Sequence, residues 1–423
     1  MDENIQGADE APPSGQQTIP EHVWQEAREL ARGAEVVPDG VPCLAARIWR
    51  ARQQGKTLRV KLGVDPTGSQ LHLGHTVVLR RLRRFQDFGH QAVLIIGGFT
   101  ARIGDPTGRN ASRPALSAEA VAQNAAGFLQ QVCGIVQMDT LEVRNNSDWF
   151  ASMNLATMLQ LAAGTTVNRL IAKEQFGQRL ERQQPVWLHE LFYPLLQGHD
   201  SLVVQADVEI GGTDQRFNIL QGRELQQQAG VEPQIALMLP ILEGTDGKQK
   251  MSKTFDNSIN LSDSASDVFA KVMRLPDQLI LKFLELATSV SGAEVQAARD
   301  LLDSGTNPML LKLQLGRQIV QDLHGDAAAQ AAQEEWQQVH SRGEAPSTMP
   351  SLTVAQPQAL VALLVSCGFA TSNTKARELV RSGAVTLDGQ KVQELTFTVS
   401  VPAAGASIVL KAGKRQFIRL VPA

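Results

Sequence analysis

Short apolar, β-branched runs alternate with segments of helical period over nearly half of the chain. Between about Leu58 and Met251 the runs LRVKLGV, QAVLIIGG, LEVRNNS, SLVVQADVEI and PQIALMLPIL each precede a turn or a helical pattern. That alternation predicts strands feeding crossover helices, and hence a parallel α/β sheet. Residues from about 112 to 200 are mostly helical in period, as in AEAVAQNAAGFLQQV and LATMLQLAAG. They read as an insertion between the two sheet halves, a common place for a subunit contact. Upstream, Val23, Trp24, Ala27, Leu30 and Ala31 recur at helical spacing before Gly33, so a helix is expected to pack on the α/β region downstream of it. Residues 1–20 contain three prolines and no apolar period and read as a disordered lead-in.

From Ala265 to about Trp336 only helical patterns remain, VFAKVMRL, LILKFLELA, VQAARDLLD and MLLKLQLGRQIVQDL, broken by Pro276, Gly292 and Pro308. The stretch GEAPSTMPSLT has two prolines and no period and reads as a linker. A small α+β module comes after it. The expected plan is an N-terminal extension and helix over 1–39, an α/β domain over 40–255 carrying the insertion, a helical domain over 256–342, a linker over 343–355 and the α+β module over 356–423.

Composition narrows this picture. A chain of 423 residues with 43% hydrophobic and 20% charged positions suits several soluble domains and excludes disorder over most of its length. Cys43, Cys133 and Cys367 are far apart, which supports neither a disulfide framework nor a paired-thiolate zinc site. No run approaches the ~18 apolar residues of a membrane span, and Asp2, Glu3, Asp9 and Glu10 stand where a targeting leader would be basic. A cytoplasmic protein without a membrane partner is expected. The net charge of −3 conceals an acidic head, with nine acids and two bases in residues 1–40, and a basic tail, with eight Lys/Arg and three Asp/Glu from Thr371 to Ala423. Such a tail is where a phosphate backbone could dock. No internal repeat is evident.

Three constellations carry chemistry. Gly63-Val64-Asp65-Pro66-Thr67-Gly68, then Leu71-His72-Leu73-Gly74-His75, stand between the strand LRVKL and the helix TVVLRRLRRF. Strand ends facing helix N-termini bind nucleotides, because free amide N–H groups and the helix dipole favour phosphate. His72 and His75 share a helical face, and Gly74 leaves room for an adenine or ribose against the backbone. An isolated HxGH is more often an exposed helix start. Here Lys250-Met251-Ser252-Lys253-Thr254 follows PQIALMLPIL and the Gly-containing loop EGTDGKQ, and its lysines can close on a triphosphate. Thirdly, Tyr193, Gln197 and Asp200 fall on one helical face, followed by Glu209-Ile210-Gly211-Gly212-Thr213-Asp214-Gln215. There the glycines admit a ligand to the backbone, and Asp214 can accept from a ribose hydroxyl.

The first two motifs together resemble the HIGH and KMSKS signatures of class I aminoacyl-tRNA synthetases. With the third, and with the run from Lys61 to Asn110, the chain from about residue 40 onward resembles the KMSK-bearing bacterial branch of the tyrosyl-tRNA synthetases. The resemblance implies a Rossmann-like parallel-sheet catalytic domain, an α-helical anticodon-binding domain and a small α+β S4 domain. It also implies activation of L-tyrosine by ATP and transfer to the 3′ end of tRNA(Tyr). Asp200 would accept from the phenol, while Tyr193 and Gln197, with Asp105 of IGDPTG, would hold the α-ammonium. Thr100, Gln215 and Asp65 would complete the pocket, and Gly63, Asp65, Gly74, Gly212 and Asp214 would receive ATP. Thr67, His72 and His75 would contact phosphates, with Lys250 and Lys253 closing over pyrophosphate. Some family members place a tyrosine where this chain has Lys61, which either adds a contact to the substrate or points elsewhere. Tyr193 is the only tyrosine in the chain.

Magnesium is expected to arrive with ATP, because no carboxylate cage for a protein-held metal is evident. Ser372 to Val380 and Ser382 to Gly389 resemble the S4 RNA-binding module, with Lys375, Arg377 and Arg381 as RNA contacts and Asp388-Gly389 as a hairpin signal. Arg80, Arg81, Arg83 and Arg84 read as solvated or paired, opposite an apolar stripe of Val78, Leu82 and Phe85. Family members are usually homodimers. The competing readings are a tryptophanyl-tRNA synthetase, disfavoured by Asp200 and the S4-like tail, a synthetase-like RNA-binding protein that has lost catalysis, and a small nucleotidyltransferase sharing HxGH but lacking the bundle and tail.

Overall fold

The computed structural model describes residues 18–106, 116–339, 349–403, 405–413 and 416–423. Most of the expected lead-in, the end of IGDPTG and the first part of the expected linker lie outside them. The chain divides into two compact units. One runs to Ser262 and includes Leu281–Asp300, and the other comprises Asp263–Ile280 and the chain from Leu301 to the C-terminus.

In the first unit the elements are α1 (Glu21–Ala31), β1 (Glu35–Val37), α2 (Val41–Gln53), β2 (Arg59–Val64), α3 (Leu73–Asp87), β3 (Gln91–Ile96), α4 (Thr100–Ile103), α5 (Ala118–Val132), β4 (Leu141–Asn145), α6 (Ser147–Phe150), α7 (Leu155–Ala163), α8 (Val167–Ile171), α9 (Glu174–Glu181), α10 (Leu188–Val203), β5 (Val208–Gly212), α11 (Arg216–Gln228) and β6 (Ile235–Leu239). The strands form one sheet in the order β1-β6-β5-β2-β3-β4. All neighbours are parallel except β1, which runs antiparallel to β6 at the edge. The central strands read as unbroken apolar runs because both faces are covered: every residue of β6 and five consecutive residues of β3 are buried. The chain winds outward from β2 through β3 to β4, then returns to β5 on the other side of β2. The carboxyl ends of β2 and β5 therefore flank the topological switch point, where open α/β sheets bind ligands.

Two sequence expectations change here. Residues 18–39 are not a separate extension, since β1 completes the sheet and the apolar face of α1, with Val23, Ala27 and Leu30 buried, packs within the same unit. The run SLVVQADVEI is not one strand. Ser201, Leu202 and Val203 finish α10 and only Val208 onward is β5; a short β-branched run cannot by itself distinguish a strand from the last turn of a buried helix. Within the insertion, LEVRNNS supplies the expected strand as β4. Among the arginines of α3, Arg83 pairs with Asp87 and Arg84 with Glu29. Arg81 is buried and donates to the main-chain carbonyls of Glu29, Leu30 and Arg32, satisfying the C-terminal end of α1.

After β6 come α12 (Ala265–Val272), α13 (Ile280–Ala287), α14 (Gly292–Asp303), α15 (Pro308–His324) and α16 (Asp326–Gln337). The expected single helical domain is thus shared between the units. Residues 281–300 stay with the sheet because Lys282 pairs with Glu243 and the Val290 carbonyl accepts from Arg32 and Arg84. In the second unit α12, α15 and α16 pack on one another, with Phe269 against Gly316 and Trp336.

The C-terminal module contains β7 (Ser351–Val354), β8 (Gln358–Ala359), α17 (Leu360–Ser366), α18 (Asn373–Arg381), β9 (Val385–Leu387), β10 (Gln390–Lys391), β11 (Thr398–Val399), β12 (Ile408–Ala412) and β13 (Gln416–Pro422). Here β7, expected within the linker, pairs in parallel with β13, so the module starts by Ser351. Asp388 and Gly389 join β9 to β10 with both φ positive, at 45° and 81°, the requirement of a type I′ hairpin turn.

Candidate active site

Two adjoining cavities of about 320 and about 630 Å³ open at the switch point and share Val64, Asp65, Thr67, His75 and Gly212. They are large enough to hold a small molecule each. The first is lined by Gly63, Asp65, Thr67, Thr100, Asp105, Tyr193, Gln197, Asp200, Gly212 and Gln215. The second is lined by His72, Gly74, His75, Asp214, Lys250 and Lys253. Every residue assigned to the small-molecule site by sequence except Lys61 thus reaches one cleft.

The polar wall of the first cavity is a connected network. Where β2 ends, Asp65 accepts from Thr100 Oγ1 at 2.7 Å and from the Tyr193 hydroxyl at 2.9 Å. Gly97 is required beside it, because a Cβ there would collide with the Asp65 carboxylate. Asn146 Nδ2 donates to Thr100 Oγ1 at 2.9 Å and to Asp200 Oδ2 at 3.3 Å, and Trp149 Nε1 donates to Asp200 Oδ1 at 3.0 Å. Burial raises the Asp200 carboxyl to about 7, with Lys61, Asn146 and Trp149 opposing and Glu209 adding to the rise. Burial and the Asp65 carboxylate push Tyr193 well above the usual phenol range, so its hydroxyl remains a donor at neutral pH. Across the cleft, Gln215 Nε2 donates to Asp105 Oδ2 at 2.7 Å, and Lys173 Nζ lies 3.7 Å from Asp105 Oδ1. Burial, followed by the nearby Asp105, raises Asp214.

At the other end, the HxGH motif forms its own helix cap. The Gly74 amide donates to His72 Nδ1 at 3.2 Å and the His72 amide donates to His75 Nδ1 at 3.2 Å. Each Nδ1 is therefore an acceptor, which puts the proton on Nε2 and leaves a neutral imidazole with an N–H donor. Burial, then His75 and Lys253, lower His72 to about 3. The ring of His75 is open to the cleft, and it too is pushed down, chiefly by desolvation in the crowded pair. A Cβ on Gly74 would lie 2.9 Å from His72 Cε1, so glycine is needed for the cap itself as well as for access.

The lysine loop is tied to this cap. The Leu73 amide donates to the Ile259 carbonyl at 2.9 Å and the Leu261 amide to the Leu71 carbonyl at 3.0 Å. Buried Asn257 donates to the Lys250 carbonyl at 3.2 Å and accepts from the Ser252 amide at 2.8 Å. Lys253 itself hydrogen-bonds Gln70. The HxGH segment thus pairs with the backbone that follows the lysine loop, at His72 and Asn260.

Lys61 takes the second of the two courses the sequence left open, pointing elsewhere. It is fully buried outside the cavity lining, donating to the Gln197 carbonyl at 2.8 Å, Ser201 Oγ at 2.7 Å and Glu209 Oε1 at 3.0 Å. Sequence reasoning missed Gly97, Asn146 and Trp149, which meet Asp65, Thr100 and Asp200 from remote parts of the chain, and Asn257, whose partners Lys250 and Ser252 are near in sequence but which no local pattern marks. Glu209 carried a signal, a carboxylate within the apolar run of a central strand. Lys375, Arg377 and Arg381 lie exposed on α18, where Lys375 pairs with Glu378 at 2.7 Å. Among the described residues, no group of three or more His, Cys, Asp or Glu side chains is placed to hold a metal ion, and no helix is long and apolar enough to cross a membrane.

Comparison with known proteins agrees with this geometry. The family described as tRNA synthetases class I (W and Y) matches residues 53–341, and the tyrosine–tRNA ligase SYY-like C-terminal domain matches residues 343–420. The chain is 44% identical to the tyrosine–tRNA ligase of Moorella thermoacetica over 405 residues, covering 95% of this chain and 97% of that protein. It is 44% identical to that of Symbiobacterium thermophilum over 382 residues, covering 89% and 93%. A C-terminally truncated mitochondrial tyrosyl-tRNA synthetase of Aspergillus nidulans shares the fold, with a TM-score of 0.62 at 22% identity over 75% of this chain and 93% of that one.

Proposed function

Because the chain belongs to the tyrosine–tRNA ligases of class I, and so activates tyrosine with ATP and transfers it to tRNA, we propose how its cleft divides that work. The first cavity takes tyrosine. Asp200, held by Asn146 and Trp149, accepts from the phenol, while Tyr193, Gln197 and Asp105 surround the α-ammonium. The second cavity takes ATP as its magnesium complex, with Gly74 and Gly212 admitting it to the backbone, Gly63 standing where the first cavity adjoins it, and Asp214 accepting from the ribose. The observation that carries this assignment is the fixed pair of neutral histidines with N–H donors, His75 lining both cavities and His72 the second, where the phosphates would sit.

Activation is an in-line attack of the tyrosine carboxylate on the α-phosphorus, expelling pyrophosphate. No base is needed, since the carboxylate is already the nucleophile, so catalysis rests on position and on charge stabilisation. Thr67, His72 and His75 donate to the phosphates as charge moves outward. Lys250 and Lys253 follow the departing pyrophosphate on a loop that Asn257 keeps in register. ATP–pyrophosphate exchange with tyrosine, phenylalanine and tryptophan in parallel tests the pocket assignment, with exchange expected for tyrosine alone. Exchange with tryptophan would overturn it.

For tRNA, α12, α15 and α16 supply anticodon contacts and α18, with Lys375, Arg377 and Arg381, meets the phosphate backbone. The reaction is assigned to the cytoplasm. The working form is a homodimer joined through the insertion. Supporting this, α7 is apolar yet has no buried residue, and Leu155, Leu188, Val167 and Leu159 are 73%, 70%, 62% and 60% exposed, a cluster unusual for a monomer surface. Sedimentation should give a dimer for the native chain and a monomer for Leu155→Glu/Leu159→Glu. A native monomer would refute it.

A further inference from the structure

Beside the tyrosine cavity, and reaching its wall at Glu209, lies a buried charged network to which the proposed activation step gives no role. Lys61, Ser201 and Gln234 are fully buried and Glu209 is 1% exposed. Lys61 Nζ uses its three donors on the Gln197 carbonyl, Ser201 Oγ and Glu209 Oε1. Glu209 Oε1 also accepts from Gln197 Nε2 at 3.0 Å, while Oε2 accepts from Ser201 Oγ at 3.0 Å and from Gln234. Donors and acceptors are thus matched on both charged groups. Apolar residues of similar volume commonly serve such a position at no loss of stability, so the pair calls for another explanation.

Glu209 itself borders the cavity, and the side chain it holds there by a hydrogen bond is that of Gln197. An amide can face a carboxylate only with its NH₂ end, so Glu209 leaves the carbonyl oxygen of Gln197 as the end available to a ligand. An α-ammonium, which only donates, needs that oxygen. Resting on the pocket assignment proposed above, we propose that Glu209, charge-balanced by Lys61, is a positioning residue that fixes the orientation of the Gln197 amide and thereby sets the affinity for tyrosine. Lys61 serves the substrate at one remove, by allowing an acid to stand where a neutral side chain would leave the amide free to turn.

The test is steady-state ATP–pyrophosphate exchange, with melting temperatures, for Glu209→Gln, the double variant Lys61→Met/Glu209→Gln, and Gln197→Ala. An amide at 209 donates or accepts equally and no longer dictates which end of Gln197 faces the cleft. Glu209→Gln should raise KM for tyrosine about tenfold, the scale of one hydrogen bond, with KM for ATP unchanged within about twofold. The double variant removes the unpaired lysine, so its melting temperature should return toward the parent while KM for tyrosine stays high. It decides the matter if the single variant does not fold. A folded double variant with parental KM for tyrosine, or an equal rise in KM for ATP, would overturn the inference. If Gln197→Ala leaves KM for tyrosine unchanged, the pocket assignment itself falls; if it raises KM while neither Glu209 variant does, only the positioning role falls.

Discussion

Asp200 and His72 are displaced in opposite senses, and each displacement has a consequence for pH. Burial lifts Asp200 to about 7, so a carboxylate able to accept from a phenol forms only as pH rises through that value. KM for tyrosine should therefore fall roughly tenfold between pH 6 and 8, which exchange kinetics at saturating ATP would measure; a flat profile would contradict the role given to Asp200. Between about pH 4 and 7 the folded chain holds a proton on Asp200 that the unfolded chain has released, so stability falls as pH rises through that range. His72, pushed down to about 3, stays neutral when folded and is protonated only in the unfolded chain below about pH 6.5, so its contribution is present above that pH and lost as pH falls. His72→Ala should slow exchange by a few hundredfold, about 3–4 kcal/mol for a donor acting in the transition state. The parent should show no inflection near 6.5 that the substitution removes.

Helix α10 carries Tyr193, Gln197 and Asp200, and its placement depends on how closely it meets α11. Gly198 and Gly222 face each other there: a Cβ on Gly198 would lie 2.7 Å from Leu225 Cδ1 and 3.0 Å from the Gly222 Cα. The backbone of α11 cannot move aside as a side-chain tip can. Gly198→Ala should cost about 1–3 kcal/mol in stability, as overpacking does, read as a lower melting temperature. It should also raise KM for tyrosine, because Gln197 and Asp200 move with their helix; an unchanged melting temperature would mean that the contact is not tight. At this scale the apolar runs located the central strands, but SLVV was ambiguous, and its helical state comes from packing against neighbours distant in sequence.

Taken across the chain, the acidic head and basic tail concentrate positive charge on the C-terminal module, the part proposed to meet tRNA phosphates. With Arg377 and Arg381 exposed on α18, Arg377→Ala/Arg381→Ala should raise KM for tRNA and reduce the salt dependence of tRNA binding by roughly two phosphate contacts. Exchange without tRNA should be unaltered, and a loss of exchange would show that α18 serves the first step. The sequence alone determined the parallel sheet, the two phosphate motifs and their order, the face shared by Tyr193, Gln197 and Asp200, and the Asp388-Gly389 turn, because each rests on periodicity or on contacts within a few residues. Only the tertiary structure decided that β1 joins the sheet, that residues 281–300 pack with it, that Asn146 and Trp149 hold Asp200, and that Lys61 turns from the cleft to Glu209. Those outcomes depend on which distant groups meet in a low-dielectric interior, where an unmatched charge or donor is costly and no local pattern names the partner.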